Sequence, residues 1–219
     1  MRYNLVLLIP VLFIFFLLAC ESQEEIQPLQ YPRFSVALIQ EISENGVQFG
    51  ANVYEIGSQE VIEYGFAYSK TNISPRVDFD DFVSAKGKPE EYFELFANHS
   101  MNVGDKYYVV AYLKTSELVV YSEAQEFVSQ GAKGFVIESV EWPDVIYKNQ
   151  SVTIKGKRLS RVISNYNVSI DRFLTSVSMP DSNTLVVDIP IQFLTETTGK
   201  EKEVELLLKL GDRTYSQRK

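Results

Sequence analysis

The sequence predicts an all-β protein: two β-sandwiches in tandem behind a cleaved leader. Three observations point there. From Phe34 onward, apolar and polar residues alternate with the two-residue period of half-buried strands, as in Val47-Gln48-Phe49-Gly50-Ala51-Asn52-Val53. No stretch of ten or more residues holds a helical period, so strands are not interleaved with helices. After the leader, one small polar run, Ser129-Gln130-Gly131-Ala132-Lys133-Gly134, divides the chain into pieces of about 99 and 86 residues. Each piece is near the size of an immunoglobulin-like sandwich.

Strands are expected at Phe34–Ile39, Val61–Tyr68, Tyr92–Phe96, Tyr107–Leu113, Leu118–Phe127, Phe135–Trp142, Ser151–Lys155, Asn167–Asp171, Leu185–Ile189 and Val204–Leu210. Turn residues separate them at Asn45-Gly46, Ser74-Pro75, Asn102–Asp105, Met179–Asn183 and Gly199. The predicted organisation is a leader over 1–19, an acidic tether over 20–30, a first fold over 31–129, a linker over 130–133 and a second fold over 134–219. The linker is short enough to limit hinge freedom.

The leader holds one positive charge, Arg2, and an apolar run from Leu5 to Ala19. These are the n-region and h-region of a secretory signal. The run is shorter than the ~20 residues a spanning helix needs, and Pro10 interrupts it. At its end, Leu17-Leu18-Ala19-Cys20 resembles the lipobox of bacterial lipoproteins. The resemblance implies cleavage after Ala19 and acylation of Cys20, the only cysteine. Each buried methylene contributes about 0.8 kcal/mol, so several acyl chains anchor a protein lastingly. The polar segment that follows, with Glu21, Glu24, Glu25 and Pro28, reads as a solvated tether. Acidic residues directly after the lipidated Cys resemble an export signal of some Gram-negative lipoproteins. The implied address is the outer membrane, surface-exposed.

Without residues 1–19 the chain carries 20 basic and 29 acidic groups, a net −9. Residues 31–129 hold 7 basic and 15 acidic groups, and residues 130–219 hold 13 and 11. A basic face, the footprint of nucleic-acid binding, is missing, so nucleic acid is not expected as a partner. One His and one Cys supply too few soft ligands for a standard zinc or haem site, and no cofactor is expected.

In the first fold, Met101-Asn102-Val103-Gly104-Asp105-Lys106-Tyr107 and the run to Tyr112 resemble the opening of strand F in fibronectin type III-like modules. The resemblance makes Gly104 the turn and Tyr107 the corner tyrosine whose hydroxyl bonds back to upstream backbone. Val109 and Ala111 then point inward, with the opposite face outward. Glu63–Ser69 resembles strand C of such modules, and Val120–Glu123 with Phe127 resembles strand G. The stretch Asn72–Tyr92 is longer and more charged than these modules need. Asp78, Asp80 and Asp81 cluster there; calcium favours such oxygen-rich spacing, but the EF-hand pattern is absent and a solvated acidic loop is the expectation.

In the second fold, Ile137–Pro143 followed by Ser151-Val152-Thr153-Ile154-Lys155-Gly156 resembles the IPT/TIG family of immunoglobulin-like domains. Pro143 would end the first strand because it cannot donate to a ladder. Gly156 would permit the bend that follows. Asn183–Pro190 matches that family's later strand with its closing Pro, while Lys148-Asn149-Gln150 replaces the usual Gly. The last strand falls around Arg213–Ser216.

Catalysis finds little support. His99 stands alone in the polar loop Asn98-His99-Ser100, without a nucleophile elbow, and reads as a surface histidine. There is no Gly-rich phosphate loop, and no carboxylate pair stands out from the acidic background. The cluster Lys155, Lys157, Arg158 and Arg161 reads as a solvated strand face, with an acid-seeking patch as the alternative. Of the aromatics, Tyr31, Tyr54, Tyr121 and Tyr147 sit near strand ends or turns and are the candidate ligand contacts, with Trp142 beside them as a rim platform or core residue. The expected function is a non-enzymatic, lipid-anchored envelope lipoprotein. The resemblance implies surface binding or spacing, with glycan capture beside an outer-membrane uptake system. Its partners would be membrane lipid through Cys20 and either a polysaccharide or an envelope protein. The alternatives are a protein–protein adhesion scaffold, or the N-terminal part of a larger surface protein.

Overall fold

A computed structural model describes residues 30–147, 149–197 and 203–219. The leader, the lipobox Leu17–Ala19 and Cys20 lie outside the described residues. The fold is all-β, built from antiparallel sheets packed face to face around two separate cores.

The first module contains β1 (Arg33–Phe34), β2 (Leu38–Ser43), β3 (Gly46–Glu55), β4 (Val61–Ser69), β5 (Asp81–Lys86), β6 (Tyr92–Ala97), β7 (Val103–Thr115), β8 (Val119–Tyr121) and β9 (Gln125–Gln130). β3 is flanked by β6 on one side and by β1 and β2 on the other. The facing sheet runs β5-β4-β7, and β8 and β9 pair with successive parts of β7. Between the sheets, Phe49 meets Phe66 and Phe127 with ring centres 5.5 and 5.4 Å apart. Aromatic pairs at this spacing add to their area burial.

The second module contains β10 (Val136–Glu141), β11 (Ser151–Lys157), β12 (Tyr166–Ile170), β13 (Phe173–Leu174), β14 (Val177–Asp181), β15 (Thr184–Asp188), a short helix α1 (Ile191–Thr197), β16 (Glu205–Leu210) and β17 (Arg213–Arg218). Its sheets run β10-β11-β15-β14 and β13-β12-β16-β17. Val152, Ile154, Leu185 and Val187 from one sheet bury against Val168, Ile170, Leu206 and Leu208 from the other. The alternation in each strand supplies these inward positions.

Several sequence expectations need correction. The strand expected at Phe34–Ile39 is two strands, β1 and β2, which pair with different halves of β3 and step across a bulge. Leu118–Phe127 likewise splits into β8 and β9, separated where Ser122 turns to bond Ala111. The turn placed at Met179–Asn183 is only Ser182-Asn183, with Met179 and Pro180 inside β14. Helix α1 follows Pro190, whose carbonyl accepts the Phe193 N–H and opens the first turn.

The largest correction concerns the outer face of β7. Val110 and Tyr112 are buried, not outward and wet. The long segment after β4 folds over them, so Val77, Phe82, Tyr121 and Ala124 make a satellite core with Ala67. Two of its acids, Asp80 and Asp81, are buried and structural, while Asp78 stays exposed. Asp80 accepts from the Asn72 side-chain amide at 2.8 Å and the Arg76 N–H at 2.9 Å, closing its own loop, and Asp81 begins β5. The solvated acidic loop is therefore a folded flap.

Gly156 is not at a bend. It lies inside β11, and a Cβ there would sit 2.6 Å from the Val136 carbonyl oxygen of β10. Its missing side chain permits close strand approach. Gly156→Ala should push β10 outward and destabilise the second module by about 1–3 kcal/mol. Trp142, the only tryptophan, packs on that module's core and gives the fluorescence readout in a urea titration. An unchanged midpoint would contradict the close-approach account.

Candidate functional site

The two modules meet across a polar seam. The connection leaves β9 through Gly131, whose N–H donates to the Ser129 hydroxyl at 2.9 Å. The Lys133 N–H then bonds the Asn45 carbonyl, and the Gly134 N–H bonds the Asn98 carbonyl. From the second module, Arg158 Nε donates to the Gly134 carbonyl at 2.6 Å, and Arg213 reaches the Ala132 carbonyl at 3.2 Å. The tip of the β16–β17 hairpin closes the other flank, where Asp212 accepts the Val103 N–H at 2.7 Å. The Gly134 and Val103 N–H groups are thereby satisfied by partners from the opposite module.

At the centre of the seam is Asp81, 4% exposed. Its carboxylate belongs to the first module and three of its hydrogen-bond donors to the second, with the Ser100 side chain of its own module a further one. The Ser160 hydroxyl donates to both carboxylate oxygens at 2.8 and 3.0 Å. The Arg161 N–H donates at 3.2 Å and the Asn165 amide at 3.4 Å. Burial pushes the carboxyl up to about 6, against the downward pull of these donors. The Arg161 guanidinium lies 4.9 Å over the Phe82 ring and covers the flank of the knot.

His99 stands close by and is not a free surface residue. It is half-buried, and the Tyr68 hydroxyl donates to its carbonyl at 3.1 Å while its Nδ1 lies 2.9 Å from the Ser100 hydroxyl. Burial holds the imidazole down at about 4, and the Arg158 charge adds to this. Ser100 and Arg158 both have left-handed backbone, at φ 61° and 56°. Such conformations cost on the order of 1 kcal/mol each and persist where surrounding contacts enforce them. Here both sit where the modules lock.

A cleft of about 270 Å³ opens beside the knot. Thr71, Ser100 and Asn102 line it from the first module, and Asn165, Leu210 and Gly211 from the second. Tyr107 forms part of its wall. Its hydroxyl donates to the Ser100 carbonyl at 3.2 Å and accepts the Asn102 N–H at 3.0 Å, and burial pushes it up to about 12. Gly104, at φ 79° with open space around it, makes the bulge at the start of β7 that delivers Tyr107.

The sequence-selected aromatics do not share a face. Tyr31 and Tyr54 are exposed at the pole of the first module opposite the seam, where Arg33 pairs with Glu55. Tyr121 belongs to the satellite core, with Arg76 4.2 Å over its ring. Trp142 packs on the second core and its buried indole N–H has no partner among the described residues. It stands next to Pro143, just beyond the end of β10. Tyr147 is exposed near the far end of the second module. The basic cluster is dispersed as well. Lys155 and Lys157 pair with Glu141 and Glu138, while Arg158 and Arg161 serve the seam.

Sequence reasoning missed the Asp81–Ser160 link. The partners lie 79 positions apart, and neither residue belongs to a local motif. Asp78 and Asp80 are not gathered with Asp81, and among the described residues no group of three His, Cys, Asp or Glu side chains is placed to hold a metal. No family model matches the chain, and no curated protein matches it.

Proposed function

We propose that the chain is a lipid-anchored lipoprotein of the outer-membrane surface, a non-enzymatic binding arm with glycan capture as its work. The seam is the observation that carries this reading. A buried carboxylate with three of its donors on the opposite module joins two sandwiches into one arm. An arm of that kind holds a binding surface at a fixed distance from its base, which a freely jointed pair does not. Gln30, where the described residues begin, lies at the first module's pole opposite the seam, held to Ser58. The order of the two resemblances, fibronectin type III-like and then IPT/TIG-like, supports the same reading. Tyr107 bonding to Ser100 and Asn102 is the corner geometry expected of the former.

The test has two arms. Metabolic labelling with an alkyne fatty acid should mark the mature chain and should fail for Cys20→Ser. Affinity electrophoresis through gels cast with a panel of polysaccharides should retard the protein in at least one. An unlabelled chain removes the anchor. Labelling without retardation leaves a spacer alone.

A further inference from the structure

We infer that the cleft between the modules binds a neutral, polyhydroxylated ligand about the size of one sugar ring. This rests on the reading of the chain as a binding arm and supplies a site for it.

Size sets the first limit. At about 270 Å³ the cleft holds roughly nine waters at ~30 Å³ each, below the range that takes large organic ligands. Charge sets the second. Lys70, on the rim, donates to Asp105 at 2.6 Å, and the Asp81 carboxylate is occupied by Ser160, Arg161 and Asn165. An anionic ligand would have to displace Asp105 from Lys70, and a cationic one would have to displace the neutral donors that fill the Asp81 oxygens.

What remains is uncharged hydrogen-bonding capacity from both modules. Asn102 Oδ1 is buried against Gly211, and no donor reaches it among the described residues. That oxygen has no exposed surface of its own, so a ligand hydroxyl reaches it only when the Asn102 side chain turns, which the lack of a donor favours. Across the cleft, the Asn165 amide makes only long contacts of 3.3 and 3.4 Å within the protein, leaving it able to turn toward a better acceptor. The Thr71 hydroxyl adds a group that both donates and accepts. Alternating donors and acceptors around a small concavity match the ring of hydroxyls on a neutral sugar. The left-handed Ser100 holds one wall in place. Because the second module supplies four of the twelve lining residues, the site is complete only while the seam is closed.

The test uses the full chain in a non-glycosidic zwitterionic detergent, so that no detergent sugar competes. Saturation-transfer NMR is run with glucose, galactose, mannose, xylose and N-acetylglucosamine, with glucuronate and glucosamine as charged counterparts. At least one neutral sugar should receive saturation, and the charged counterparts should bind roughly tenfold more weakly. Thr71→Trp, at an exposed position on the rim, should fill the mouth and weaken binding at least about tenfold, with the thermal midpoint unchanged. The inference is overturned if no neutral sugar binds, if charged sugars bind as well, or if binding survives Thr71→Trp. Failure here with the acyl label and polysaccharide retardation intact removes the cleft and leaves the binding arm. Loss of the label with sugar binding intact does the reverse.

Discussion

Asp81→Ala should uncouple the two modules while the strands of each remain paired. The alanine leaves the Ser160 hydroxyl, which has no solvent exposure, and the Arg161 N–H without their acceptor. Stranding buried donors costs about 1–3 kcal/mol each. A loss of about 3 kcal/mol lowers the docked-to-undocked ratio about a hundredfold. The backbone of Asp81 pairs with Tyr68 in the β4–β5 ladder, which the substitution leaves in place. Small-angle X-ray scattering should report a larger radius of gyration, and limited proteolysis should cut faster within residues 130–134. Asp81→Asn, which keeps an acceptor oxygen, should do less. Unchanged scattering and cutting in the alanine variant would mean that Arg158, Arg213 and Asp212 hold the seam without it.

Local order was legible in the sequence, and the assembly of the seam was not. Alternation at Val47–Val53 and at Ser151–Lys155 fixes which residues face the cores, because a two-residue period admits one register with the apolar side buried. Gly131 and Gly134 marked the division, and both take positive φ there. The failures share a cause. Val110 and Tyr112 have the same pattern whether their face meets water or a flap, and only the folded position of Val77 and Phe82 decides between them. Asp81 looked like one acid among several because Ser160, Arg161 and Asn165 come from a different module and Ser100 from a distant strand end. His99 looked exposed because its polar neighbours Asn98 and Ser100 are turned to serve the seam. Gly156 was read as a bend because a strand glycine that admits a neighbouring backbone carries no local signature. Periodicity reports which side of a strand is apolar, but the meeting of one module with another lies beyond its reach.

The presence of Asp81 and His99 at one seam also predicts a pH profile that only variants reveal. Asp81 has a folded value raised to about 6 from a carboxylate's ordinary ~4, so the folded state holds a proton that the unfolded chain has released. The associated stability is fully present below about pH 4 and is lost as pH rises through 6. His99 has a folded value lowered to about 4 from ~6.5, so there the unfolded chain binds the extra proton. Its stability is fully present above about pH 6.5 and is lost as pH falls through 4. Each shift corresponds to about 3 kcal/mol, with opposite slopes over nearly the same interval. In the wild type the two cancel between about pH 4 and 6, and the profile there should be nearly flat. His99→Gln keeps only the Asp81 term, and its stability should fall by about 2–3 kcal/mol on going from pH 4 to 6. Asp81→Asn keeps only the His99 term, and its stability should rise by a similar amount over that range. Asp105, lowered by its bond with Lys70, acts below this window, and the buried tyrosines act above it. Urea midpoints at pH 4, 5, 6 and 7 decide the matter. Parallel profiles for the two variants would show that these groups do not meet the surroundings described for them, whereas opposite slopes across the window follow directly from one acid raised and one base lowered by burial at the same seam.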